Sequence, residues 1–158
     1  MGKFTLSVLV ENRFGVLARV AGLFSARGFN IDSLAVAETE DPSMSRITMV
    51  VDADRKTLEQ IKKQLNKLID VIKVVDLTSK DCIERELILV KVKFASNKRK
   101  DIIRTVDTLG AKVLETGGDF VIVEEIGDSK RINAILELLR PFGILEIVRT
   151  GKVAIQAR

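Results

Sequence analysis

The stretch VENRFGVLARVAGLFSARGFNIDSL, Val10 to Leu34, decides how the rest of the chain is read. Just before and into it, Phe4, Leu6, Val8 and Val10 alternate with Thr5, Ser7 and Glu11, the period-two pattern of a half-buried strand. After Arg13-Phe14-Gly15 the period changes. Val16, Leu17, Val20, Leu23 and Phe24 follow the spacing of an amphipathic helix, and Gly28 stands in the position of a C-cap. A strand that turns through one glycine into a helix leaves backbone N–H groups at the helix start, expected here at Phe14, Gly15, Val16 and Leu17. Such a start carries partial positive charge and accepts a carboxylate or phosphate.

Working outward, Ile31 to Thr39 and Arg46 to Asp52 read as strands around the turn Asp41-Pro42-Ser43. Leu58, Ile61, Leu65 and Leu68 mark a second helix with Asp54 as its cap, and Val71 to Leu77 closes a βαββαβ unit. The order recurs after the linker Thr78-Ser79-Lys80-Asp81. Ile83 to Phe94 is a long strand, and Asn97 is placed to cap a helix carrying Ile102, Ile103, Val106 and Leu109, stopped by Gly110. Val113 to Thr116 and Phe120 to Ile126 form a hairpin through Gly117-Gly118-Asp119. Asp128 caps a last helix bearing Ile132, Ile135, Leu136 and Leu139, halted by Pro141, before strands at Ile144 to Val148 and Val153 to Gln156. The expected fold is α+β, two ferredoxin-like βαββαβ domains in tandem, residues 1–78 and 79–158. Each lays two helices on one face of a four-stranded antiparallel sheet. The bare faces and edges of such sheets favour pairing with another subunit.

Composition excludes more than it assigns. The chain has 158 residues, 46% hydrophobic and 30% charged, with a net charge of +4, which is globular and gives little drive toward nucleic acid. It contains no histidine, the usual general base near neutral pH. Its single cysteine, Cys82, makes neither an internal disulfide nor a CxxC site, and no apolar run approaches the roughly 18 residues that span a bilayer. MGKFTL has Leu6 where a myristoylation signal has Ser or Thr. The expectation is a cytoplasmic, non-catalytic protein with no metal or cofactor of its own.

The residues around the first helix suit recognition. Asn12 offers an amide that both donates and accepts, as a zwitterion requires. Gly15 permits close backbone approach, with Val16 and Leu17 continuing the helix start. At the far end Asn30 repeats the amide chemistry and Ile31 supplies an apolar wall. Each has a plainer explanation: Gly15 for the turn alone, Asn12 as a cap, Asn30 as a left-handed helix terminus.

The segment from Leu6 to Val51, with ENxxGxLxRVxGLFSxRGxNI and the DPSMSR turn, resembles the N-terminal ACT domain of the regulatory (small) subunit of acetohydroxyacid synthase, also called acetolactate synthase. LEQIKKQLNKLIDVIKVVDL, ERELILVKV and EIVRTGKVAI extend the resemblance over nearly the whole chain. It implies an ACT domain at 1–78 for effector binding and dimerisation, and a C-terminal ferredoxin-like (ACT-like) regulatory domain at 79–158. It also implies a homodimer that activates a catalytic large subunit carrying thiamin diphosphate, magnesium and FAD. Feedback inhibition by a branched-chain amino acid, usually L-valine and with isoleucine or leucine open, would act where two ACT domains meet. Asn12, Gly15, Val16 and Leu17 would come from one subunit, and Asn30 and Ile31 from its partner, with Asp32 a further candidate for the ammonium group. The remaining alternative is a stand-alone amino-acid-binding ACT protein acting on another partner.

Other readings of the fold fit less well. An RRM needs aromatics on its central strands, and RITMVVDA has none. The basic run Lys98-Arg99-Lys100 reads as a solvated helix start. An acylphosphatase-like enzyme would need a cradle arginine, for which Arg13 is the one nearby residue, and a metal sensor would need His and Cys ligands.

Overall fold

The computed structural model describes residues 2–78 and 81–158; Ser79 and Lys80 of the expected linker lie outside them. The chain forms two compact units, Met1–Ile83 together with Lys152–Arg158, and Glu84–Gly151. In the first, β1 (Gly2–Glu11), α1 (Val16–Ser25), β2 (Ile31–Glu38), β3 (Met44–Ala53), α2 (Arg55–Leu65) and β4 (Val71–Asp76) follow the expected βαββαβ order. The sheet order is β2-β3-β1-β4, with antiparallel neighbours throughout.

Alternation along β1 sends Leu6, Val8 and Val10 to one face, where they are buried against Ile47, Met49 and Val51 of β3. The same face receives Val16, Val20, Leu23 and Phe24 of α1 and Leu58, Ile61 and Leu65 of α2. Each helix is fixed by its ends as well as its stripe. Gly28 (φ 67) closes α1: the Phe29 N–H reaches Phe24 O at 3.0 Å and the Gly28 N–H reaches Ser25 O at 3.1 Å, the two bonds of a Schellman motif. Asp54 caps α2, its Oδ1 accepting from the Thr57 N–H at 2.7 Å.

The second unit repeats the plan. β5 (Cys82–Lys93), α3 (Arg99–Leu109), β6 (Lys112–Thr116), β7 (Phe120–Gly127), α4 (Ser129–Leu139) and β8 (Ile144–Arg149) give a sheet ordered β6-β7-β5-β8. Its core joins Ile88, Val90 and Val92 of β5 to Val121 and Val123 of β7, under helix residues that include Ile102, Val106 and Ile132. Asp128 caps α4, accepting from the Arg131 N–H at 2.8 Å. Buried Glu86 accepts two hydrogen bonds from Arg149, at 2.8 and 2.7 Å, and ties β5 to β8. This carboxylate raises the pKa of the Arg149 guanidinium, chiefly through the hydrogen bond.

Two expectations are corrected. Asn97 caps no α-helix: it sits within a 3-10 turn, Ser96–Lys98, and α3 begins after Lys98. The helix-free face of the first sheet is also not bare. Thr5, Ser7 and Thr48 point away from the helices, yet are only 8, 4 and 4% exposed. They are covered because β9 (Val153–Gln156), which pairs with β5, also packs against β1 and β3. The Lys152 N–H donates to Ser33 Oγ at 3.0 Å, and the Ala157 N–H to Asp81 O at 2.8 Å.

Candidate functional site

Three connections of the first unit meet where β1 ends. The Glu11 N–H donates to Asp70 O in the α2–β4 loop at 2.9 Å, and the Asn12 N–H to Ser43 O in the β2–β3 turn at 2.7 Å. Asp41 holds that turn by accepting from the Ser43 hydroxyl at 2.7 Å and its N–H at 2.9 Å. Those bonds, the hydroxyl first, hold its pKa below the ordinary carboxylate value. Against this frame the chain turns through Gly15, whose φ of 80° lies in left-handed space.

The helix start is open. No side chain caps α1. Of the four N–H groups expected to be unpaired, Val16 closes a turn onto Arg13 O at 3.3 Å; those of Phe14, Gly15 and Leu17, with Ala18, meet no acceptor among the described residues. Val16 is buried in the core, so only its backbone faces the turn. Phe14 is wholly exposed and Leu17 is 44% exposed, which places two apolar side chains beside the free donors.

Arg19 belongs to this site, although its spacing reads as part of the polar face of the helix. Its Nε and Nη2 each lie 2.8 Å from Oδ2 of the buried Asp70. A Cβ added at Gly15 would stand 3.2 Å from Arg19 Nη1, so the guanidinium flanks the turn. The four-residue step from Gly15 to Arg19, one helical turn, is the signal that could have found it.

The other candidates divide between the two ends of α1. The Asn12 amide fastens the frame, donating to Pro42 O at 2.9 Å and to Glu38 at 3.2 Å, and its Oδ1 faces no donor among the described residues. Asn30 and Ile31 lie beyond the opposite end of the ten-residue helix, roughly 15 Å away at 1.5 Å per residue. One chain therefore does not bring all six residues together. Asn30 donates to Asp32 at 2.9 Å, and Asp32 pairs with Lys3 at 3.1 Å, so Asp32 is already partnered by a cation. Ile31 begins β2, which is an edge strand. Among the described residues no group of three or more His, Cys, Asp or Glu side chains could hold a metal ion, and no helix is long and apolar enough to cross a membrane.

A ferredoxin-like unit whose first turn leaves a helix start uncapped is the architecture of an ACT regulatory domain, and residues 6–73 match the family described as the AHAS small subunit-like ACT domain. Residues 85–158 match the small subunit of acetolactate synthase. A probable acetolactate synthase small subunit of Archaeoglobus fulgidus is 49% identical over 152 residues, 96% of this chain and 95% of that one. The acetolactate synthase small subunit of Mycobacterium leprae is 50% identical, over 96% and 89% of the two chains. The crystal structure of the small subunit from Thermotoga maritima superposes with a TM-score of 0.89 at 37% identity, covering 100% of this chain and 99% of that one. The chain belongs to the acetolactate synthase small-subunit family.

Proposed function

We propose that this regulatory subunit activates the catalytic large subunit of acetohydroxyacid synthase and confers feedback inhibition by L-valine held between the ACT domains of a homodimer in the cytoplasm. The observation that carries the reading is the incomplete site. In one chain a left-handed glycine turn presents unmet N–H groups beside Arg19 and exposed Phe14 and Leu17. The second half of the candidate set, Asn30 and Ile31, starts an edge strand that offers its backbone to another chain.

In this arrangement the effector carboxylate accepts from the N–H groups at Gly15 and Leu17, where the helix dipole and the Arg19 guanidinium favour an anion. The ammonium donates to Asn12 Oδ1, and the branched side chain packs on Leu17 and the partner's Ile31. A ligand that touches two chains stabilises one dimer arrangement, and coupling follows if the catalytic partner prefers another. Thiamin diphosphate, magnesium and FAD are assigned to that partner, which performs the chemistry. Valine and isoleucine differ by one methylene, a discrimination of only about 1–3 kcal/mol in an apolar pocket, so weaker isoleucine and leucine responses accompany valine.

Thermal unfolding with each of the twenty amino acids tests the site. At a hundredfold excess over Kd, binding to the folded state adds about 2.7 kcal/mol. The expected result is a shift confined to valine and its branched-chain relatives and abolished by Gly15→Asp. In parallel, the chain should raise acetolactate formation by its catalytic subunit, and valine should lower it. No shift from any amino acid, with no effect of valine on the reconstituted enzyme, rules the reading out.

A further inference from the structure

The covered sheet face contains a second site of different chemistry. Between the β1–β3–β4 surface and β9 lies a cleft of about 340 Å³, within the size range of small-molecule sites. All its lining residues belong to the first unit. Leu9 forms the floor and pairs in register with Arg46 on β3 and Lys73 on β4. Adjacent strands lie about 4.8 Å apart, so the two cations rise from positions about 10 Å apart on either side of Leu9. Neither forms a salt bridge among the described residues, and no carboxylate lines the cleft.

Arg46 is already oriented, its Nη1 donating to Ser7 Oγ at 3.2 Å. Ser7 is 4% exposed and lines the cleft, its hydroxyl proton left to donate. Apart from the Gln156 amide the remaining walls are aliphatic, including Val75 and Ile155, and Ile155 is 67% exposed. Two cations without an acid disfavour a zwitterion, because the ammonium would find no carboxylate and two like charges. The aliphatic walls disfavour a fully hydrated inorganic anion.

We propose that this cleft binds a short-chain 2-oxo or 2-hydroxy monocarboxylate. The carboxylate lies between Arg46 and Lys73, the 2-oxygen accepts from the Ser7 hydroxyl, and the alkyl group covers Leu9, Val75 and Ile155. The site is separate from the turn at Gly15, and its occupancy does not depend on how an amino-acid effector binds there.

Titration of the 15N-labelled full chain by NMR tests the proposal with four probes: 3-methyl-2-oxobutanoate, isobutyrate, inorganic phosphate and L-valine. The oxo acid should give saturable shifts at the amides of Ser7, Leu9, Arg46 and Lys73. Arg46→Gln and Lys73→Gln should each weaken it about tenfold, as expected for loss of one charge-assisted hydrogen bond. Ser7→Ala should bring the oxo acid down toward isobutyrate, which has no 2-oxygen. Phosphate and valine should be at least about tenfold weaker at these amides, by the same two arguments. Absence of saturation at millimolar oxo acid overturns the proposal, as does equal binding of phosphate or valine, or indifference to both glutamine variants. Should one variant fail to fold, its spectrum without ligand will show it, and the other variant with the phosphate comparison decides. Failure of the effector reading would appear elsewhere, as unshifted amides at residues 12–17 and 30–31 with valine.

Discussion

At the scale of single residues, Gly15 does two jobs that a side chain would undo separately. Its φ of 80° places an L residue in strained left-handed space, at about 1–2 kcal/mol. Gly15→Ala should therefore lower the unfolding free energy by that amount, read as a lower urea midpoint at unchanged m-value, before any ligand is considered. Gly15→Asp adds a carboxylate beside the helix start, where it competes with an effector's own, and should remove the valine-dependent thermal shift. The glycine and its turn were legible from one change of period in the sequence. Arg19 was not, because a lone arginine on a helix looks solvated until the Asp70 backbone is known to meet Glu11. Asn12 and Asn30 were legible as polar residues, but their amides are committed to Pro42, Glu38 and Asp32, partners that only the folded turns bring near.

At the scale of elements, caps and cross-strand pairs make the testable differences. Hydrogen bonds from Thr57, the backbone one first, hold the Asp54 pKa below its ordinary value of 3.8. A depressed carboxylate stabilises the fold above that value and loses its contribution as pH falls through the lower folded pKa. The protection factor of the Thr57 amide, its rate taken relative to free-chain exchange at the same pH, should accordingly fall below about pH 4, ahead of the α2 interior. The equivalent cap on α4 is worth about 1 kcal/mol, the expected loss in Asp128→Ala by chemical denaturation. Arg149→Met leaves the buried Glu86 carboxylate without its bidentate partner. With the arginine half exposed, the cost should be about 2 kcal/mol, below the range for fully buried pairs. The caps at Asp54 and Asp128 and the stops at Gly28 and Gly110 were readable, since each rests on bonds within a few residues. The start of α3 was misread because Asn97 has the chemistry of a cap while the chain forms a 3-10 turn there.

At the scale of the whole molecule, the informative feature is the segment Lys152–Arg158, which completes the first unit. VAIQ alternates like a strand, and so its conformation was legible, but nothing local says that it packs against β1 and β3. That packing is a contact across well over a hundred residues, and such contacts leave no period in a sequence. Deleting residues 152–158 should speed hydrogen exchange at Thr5, Ser7 and Thr48 while leaving Val90 and Val123 protected. It should also abolish oxo-acid binding without touching the turn at Gly15.

The same return path orders events during synthesis. The ribosome makes the second unit before the strand that covers Ser7 and Thr48, so the first unit emerges with a polar flank uncovered and stays so until Gln156 has left the ribosome. A chain ending at Gly151 and free of the ribosome would hold one finished unit and one awaiting its last strand.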